Sequence, residues 1–173
     1  PDNSITRGAF AGILDRFLQF QSTAPAGTFP DLAGSYWEEE ILKLNAAGVY
    51  LGNNGKALAA DSITRQQAVT MIARAFGIAA STTTLPYTDA ASISDYAVGA
   101  VAEMTARGWL NDSTDGRFRP TDPITRAEIV NIFSNMIQTL IQTSGSYSQD
   151  VDGTLMISSA DGVTLSDMTV TGD

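Results

Sequence analysis

Three arginines stand in the same word of this chain. Ile5-Thr6-Arg7, Ile63-Thr64-Arg65 and Ile124-Thr125-Arg126 repeat one tripeptide at nearly equal intervals along the sequence. A guanidinium is permanently charged, and its planar fork of donors fits a carboxylate or a phosphate. Two chemistries suit the spacing. The first is an ion pair with an acid just upstream: Asp61 before Arg65 and Asp122 before Arg126, with Asn3 at that place before Arg7. The second joins the arginine to the backbone N–H groups of a helix's first turn, so that together they receive an anion. Other chemistry is excluded by composition. With no cysteine and no histidine, thiolate and imidazole metal sites, disulfides and Ser-His or Cys-His nucleophilic pairs are ruled out. No pair of carboxylates is singled out for glycosidase-type acid–base work. The chain is read as not an enzyme, with no catalytic residue, cofactor or metal ligand expected.

The arginines need helices to hold them. Apolar residues follow each threonine at +4, +7, +8, +11 and +12. They are Phe10, Ile13, Leu14, Phe17 and Leu18; Ala68, Met71, Ile72, Ala75 and Phe76; and Ile129, Ile132, Phe133, Met136 and Ile137. That spacing is one face of an α-helix. Each threonine falls at the N-cap, and Gln67 and Glu128 complete a capping box in the second and third copies; Ala9 stands there in the first. A second unit lies between the copies. Phe29-Pro30-Asp31 leads to Trp37, Ile41 and Leu44 on one helical face and then Gly48. Tyr87-Thr88-Asp89, Val101, Met104 and Gly108 repeat it. Both glycines read as helix stops. Turns rich in Asn, Asp and Gly follow. Asp112-Ser113-Thr114-Asp115-Gly116 resembles a calcium loop but lacks the later ligands, and a plain Asp-Gly turn is expected. A period of this kind implies supersecondary units that bury a core by packing on one another.

The 173 residues carry a formal net charge of −9 and a mean hydropathy near zero. An acidic surface argues against nucleic acid and against anionic membranes as partners. No stretch is long and apolar enough to span a bilayer. The polar start Pro1-Asp2-Asn3-Ser4 is expected either to follow a removed leader or to open a piece cut from a longer protein. Residues 141–150 read as a linker. Beyond it, Leu155/Ile157, Val163/Leu165 and Met168/Val170 alternate with polar residues, marking two or three short strands over residues 151–173. So small a β-segment needs a partner. It is expected either to begin a β-solenoid or to serve as an assembly strand.

As a constellation, Tyr87-Thr88-Asp89, Gly108, Asp115-Gly116-Arg117-Phe118-Arg119-Pro120 and Ile124-Thr125-Arg126-Ala127-Glu128, partly repeated upstream, resembles the S-layer homology domain. The resemblance runs over about residues 1–140. It implies a mainly α fold of three repeats, a partial one at 1–20 and others at 29–80 and 87–140, in a pseudo-threefold arrangement around a central three-helix bundle, followed by the short β-rich C-terminal segment. It also implies an extracellular protein of a bacterial surface layer or cell wall. Its function would be non-covalent anchoring through cell-wall polysaccharide (an acidic, pyruvylated amino sugar) or modified peptidoglycan, bound in grooves between repeats. The ligand-binding residues would be Thr125, Arg126 and Glu128 first, then Thr64, Arg65 and Gln67, then Arg7. Asp31 and Asp89 would cap helices or touch sugar, and Trp37 would be core or a sugar platform. The chain departs from the pattern at Gly8-Ala9, at Gln66-Gln67, and at Ala97, which with Tyr96 beside it replaces the Trp37 of the earlier repeat. The alternative is a structural subunit that self-assembles through residues 151–173.

Overall fold

Each Ile-Thr-Arg segment opens a helix. The computed structural model describes residues 3–111, 114–157, 159 and 161–171. It is mainly α, with five α-helices among those residues and a small β-segment. The helices are α1 (Arg7–Leu18), α2 (Glu38–Ala46), α3 (Arg65–Ala75), α4 (Asp95–Ala106) and α5 (Arg126–Met136). The strands are β1 (Thr139–Ile141), β2 (Gly145–Tyr147), β3 (Leu155–Ile157) and β4 (Val163–Leu165). The chain divides into two compact units, Pro1–Glu128 and Ile129–Asp173.

In the first unit the three isoleucines are joined in a closed ring of backbone hydrogen bonds. Ile5 N–H donates to Ile124 (3.3 Å), Ile124 N–H to Ile63 (3.0 Å), and Ile63 N–H to Ile5 (3.0 Å). All three side chains are buried. One step on, the ring is drawn again by the arginine amides. Arg7 N–H donates to the Asp61 carbonyl (2.8 Å), Arg65 N–H to Asp122 (2.9 Å) and Arg126 N–H to Asn3 (3.4 Å). The repeated tripeptide therefore serves as a joint between copies as well as a helix cap. Thr6 Oγ1 accepts the Ala9 amide at 3.2 Å. Gln67 Oε1 accepts the Thr64 amide at 3.1 Å. In the third copy the box is reciprocal: Thr125 N–H donates to Glu128 Oε2 (2.7 Å) and Glu128 N–H to Thr125 Oγ1 (3.2 Å).

Helix α2 packs on α1, α4 on α3, and α1 on α3. The α1–α2 seam is made by an indole. Trp37, half-buried at the start of α2, lies across Gly8 and Gly12, one turn apart on α1. A Cβ on Gly12 would stand 2.5 Å from Trp37 Cζ3. This accounts for the glycine at the first departure from the repeat. It also yields a test with an unusual sign. Glycine to alanine within a helix ordinarily gains up to about 1 kcal/mol, whereas Gly12→Ala will cost about 1–3 kcal/mol because the indole must move. Urea denaturation measures it. Helices α2 and α4 are followed at the expected places by Gly48 (φ 72°) and Gly108 (φ 74°), a left-handed conformation suited to residues without a Cβ.

In the second unit, the remainder of α5 buries Ile129, Ile132 and Met136, and the strands follow. Residues 141–150 are not a plain linker: they hold the end of β1 and all of β2. Strand β1 pairs in parallel with β3, β2 with β4, and Val151 with Val170. Three successive segments thus pair, in order, with three later segments at a nearly constant offset along the chain. The first set is rich in Ser, Thr and Gly, so its strand character comes from this long-range pairing and not from local alternation. Side chains hold the turns: Gln138 Oε1 accepts the Thr154 amide at 2.7 Å, and Asp150 Oδ1 accepts the Thr169 amide at 2.6 Å.

Of the calcium-like stretch, Asp112 and Ser113 lie outside the described residues. Asp115 Oδ1 takes the Arg117 amide (3.1 Å) and its Oδ2 takes Arg119 Nη2 (2.6 Å), while Gly116 has φ 71°. No cluster of three or more potential metal-binding side chains occurs among the described residues, and no helix there is long and apolar enough to cross a membrane.

Candidate functional site

The ring of joints occupies the helix ends. Arg7 N–H and Gly8 N–H donate to the carbonyls of Asp61 and Ala59 (2.8 and 2.9 Å), and Arg65 N–H and Gln66 N–H to those of Asp122 and Pro120 (2.9 and 3.0 Å). With these amides taken, the first turns of α1 and α3 offer no free N–H cluster to an anion. The upstream ion pair is replaced too. Asp61 and Asp122 contribute their backbone carbonyls to the arginine amide of the preceding copy, and Arg65 pairs instead with Glu128, Nη1 to Oε1 at 3.0 Å. Any anion contact falls to side chains.

The three arginines have different surroundings. Arg126 is exposed and makes no side-chain hydrogen bond or ion pair among the described residues. Arg65 is buried, with its guanidinium 5.3 Å from the centre of the Phe118 ring and its charge met by Glu128. Arg7 is only 6% exposed. Its guanidinium lies 5.0 Å over the Tyr50 ring, and Nε donates to both Tyr50 Oη (3.1 Å) and the Ala57 carbonyl (3.0 Å). Among the described residues its two Nη atoms have no hydrogen-bond or ion-pair partner.

Arg7 lies in the wall of a cleft of about 450 Å³, whose other lining includes Tyr50, Gln67, Thr70, Arg74, Tyr96 and the turn at 49–53. Two arginines and no aspartate or glutamate line it. In a chain of net charge −9 that is a local reversal of sign. Burial raises the Tyr50 hydroxyl pKa above its ordinary 10.0, against the pull of Arg7, so it stays a neutral donor at physiological pH. Burial raises Tyr96 likewise, opposed by Arg7 and Arg74. The arrangement can receive a carboxylate against guanidinium donors, with amide, hydroxyl and aromatic groups around it for a polyhydroxylated ring. A smaller hollow of about 150 Å³ holds Arg117 and Arg119 together with Asp89 and Asp122, so its charges are compensated internally.

Of the residues expected at the site, Arg7 and Gln67 meet at this cleft. Arg65, Glu128 and Thr125 form one connected group through the Arg65–Glu128 pair and the capping box. Thr64 is linked to Gln67, and Trp37 is seated on Gly8 and Gly12. Asp31 and Asp89 cap no α-helix. Asp31 accepts the amides of Ala57 and Leu58 (both 2.8 Å), and Asp89 those of Phe118 and Arg119 (both 2.8 Å). Sequence reasoning missed Tyr50, Thr70 and Arg74. The last two stand one and two turns along α3 from Gln67, near the stripe it shares with Met71, a periodicity that could have found them.

Residues 86–130 match the family profile described as the S-layer homology domain. Similar proteins include the amylopullulanase of Thermoanaerobacterium thermosulfurigenes, 28% identical over 148 residues. They include also the endoglucanase of Bacillus sp. strain KSM-635 (29% over 143 residues) and the exoglucanase XynX of Acetivibrio thermocellus (27% over 144 residues). These alignments cover 80%, 79% and 80% of this chain, but it spans only 8%, 15% and 13% of those proteins.

Proposed function

We propose that this chain, which carries an S-layer homology segment at residues 86–130, anchors an exported bacterial protein to the cell envelope without a covalent bond. It does so by holding an acidic cell-wall polysaccharide. The reading rests on one observation: a cleft of about 450 Å³ lined by Arg7 and Arg74 and by no carboxylate, in an acidic chain. The bound unit is a carboxylated amino sugar, such as a pyruvylated one. Its carboxylate meets the Arg7 Nη groups, its hydroxyls meet Gln67 and Thr70, and Tyr96 packs on the ring. Thr125, Arg126 and Glu128, and Thr64 with Arg65, belong to companion joints of a pseudo-threefold body around a three-helix bundle, for which the closed isoleucine ring is the support; these bind more weakly, because Glu128 already meets the Arg65 charge. This chain spans 8–15% of the related enzymes, and the anchoring reading takes nothing from their activities.

Residues 139–171 are proposed as two stacked coils of a β-solenoid. The rival reading, a surface-layer or filament subunit assembling through residues 151–173, draws on the same strands. Strands β3 and β4 already pair in parallel with β1 and β2 of their own chain, which favours the anchor.

The test is co-sedimentation with purified bacterial sacculi before and after stripping their secondary polymers. Retention on intact sacculi that vanishes on stripping supports the reading. A chain left in the supernatant of intact sacculi sinks it.

A further inference from the structure

Two copies of the same joint differ by a single charge. In the second joint Glu128 is bidentate in function: Oε2 accepts from the Thr125 amide (2.7 Å) and hydroxyl (2.8 Å), and Oε1 accepts from Arg65 Nη1 (3.0 Å). The equivalent residue of the first joint is Gln67, placed after Thr64 as Glu128 is after Thr125, and it shares a cleft with Arg7. Its Oε1 accepts the Thr64 amide. That bond uses the carbonyl oxygen and leaves Nε2 as the amide's other group, the chemical counterpart of Glu128 Oε1. An amide nitrogen only donates, so it cannot accept from a guanidinium.

We propose that Gln67 is the residue that keeps the Arg7 cleft open to an anion. Glu128 supplies Arg65 with an internal carboxylate and thereby closes that arginine to an external one. Gln67 caps its helix in the same way but brings no charge, so the Nη atoms of Arg7, a residue only 6% exposed that lines the cleft, stay available. Gln67, which lines the same cleft, adds an amide donor in Nε2. The choice of Glu or Gln at this one helical position sets which joint binds and gives the site its preference for carboxylated over neutral sugars. This deepens the anchoring reading and rests on it for the identity of the natural ligand.

The experiment compares Gln67→Glu with Gln67→Ala in the full chain. The probe is N-acetylmuramic acid, with N-acetylglucosamine as its uncharged counterpart. The readout is the NMR signal of the Arg7 Nε–H during titration. Gln67→Glu is expected to lose acid binding by about tenfold or more, with a raised Tm at low salt because Arg7 gains a partner. Gln67→Ala, which loses the cap but adds no charge, is expected to lose only a few-fold. Equal losses in both variants would make Gln67 a cap and nothing more, and would overturn the inference. Wild-type affinity in Gln67→Glu, or no response of the wild-type Arg7 signal to the acid, would overturn it too. If the wild-type chain ignores sacculi yet shows the charge-dependent acid response, the anchor falls and the role of Gln67 stands.

Discussion

Arg7→Met will abolish retention on sacculi while leaving a folded chain. Methionine keeps the aliphatic length that lies over Tyr50 and removes only the guanidinium. What remains is not left with orphaned polar groups, because Tyr50 Oη donates to the Ala57 carbonyl at 2.6 Å whether or not Arg7 is present. The stability cost is therefore the loss of one shared Nε–H donor and a cation–π contact, about 1–3 kcal/mol. Part of it is offset by removing a buried cation whose Nη atoms have no internal acceptor among the described residues. The binding cost is larger. A charged fork meeting a carboxylate in a sheltered cleft is worth about 100-fold or more in affinity, roughly 3 kcal/mol. Arg7→Lys is expected to fall between, since it keeps charge but loses the fork. Circular dichroism melts and sacculus co-sedimentation on the same samples separate the two effects. Full retention by a folded Arg7→Met would remove the cleft from the mechanism.

The sequence marked the helices well because their signals are local. The threonine caps, the Gln67 and Glu128 boxes and the apolar stripes lie within a few residues of one another, and so do Gly48 and Gly108 as stops. It could not show that the helix-end amides would be spent on Asp61, Asp122 and Asn3 of other copies, because those bonds join distant parts of the chain and leave no local pattern. The site suffered from the same blindness. Three identical tripeptides give three arginines of equal standing in the sequence, and the third, with the fullest motif, stood out as the best of them. What separates them is surroundings: a carboxylate 3.0 Å from Arg65, exposure at Arg126, and burial in the wall of a cleft without a carboxylate at Arg7. The linker reading of 141–150 failed on the same ground, since β2 is defined by its pairing with β4, well outside any local window.

Asp89→Ala will destabilise the first unit by about 2–4 kcal/mol, roughly 10 °C in Tm. Its carboxylate holds two successive amides, Phe118 and Arg119, at 2.8 Å each. Arg119 is held at φ 55°, a left-handed conformation that costs a residue with a Cβ about 1–2 kcal/mol. Phe118 is buried beneath the Arg65 guanidinium. Removing the acid therefore strands two donors, releases a strained residue and loosens the floor under an arginine. Asp31 does the same work for Ala57 and for Leu58, also at φ 55°, and the Ala57 carbonyl is the acceptor for Arg7. Asp31 is more exposed than Asp89, so water replaces it more readily and Asp31→Ala will cost less. Acid reports the same bonds. The Leu58 amide leads in holding the Asp31 pKa below the usual 3.8, with Ala57 assisting against a counteracting burial. At Asp89 burial pushes upward, but the Phe118 and Arg119 amides and nearby Arg117 outweigh it, and its pKa also falls below 3.8. A lowered folded-state pKa adds stability that is complete above the unfolded value of 3.8 and lost as the pH falls through the folded value. The gap in Tm between wild type and Asp89→Ala should hold from pH 7 down to about 4 and narrow below 3.8. A gap unchanged at about pH 3 would mean that the carboxylate's charge is not what holds the turn.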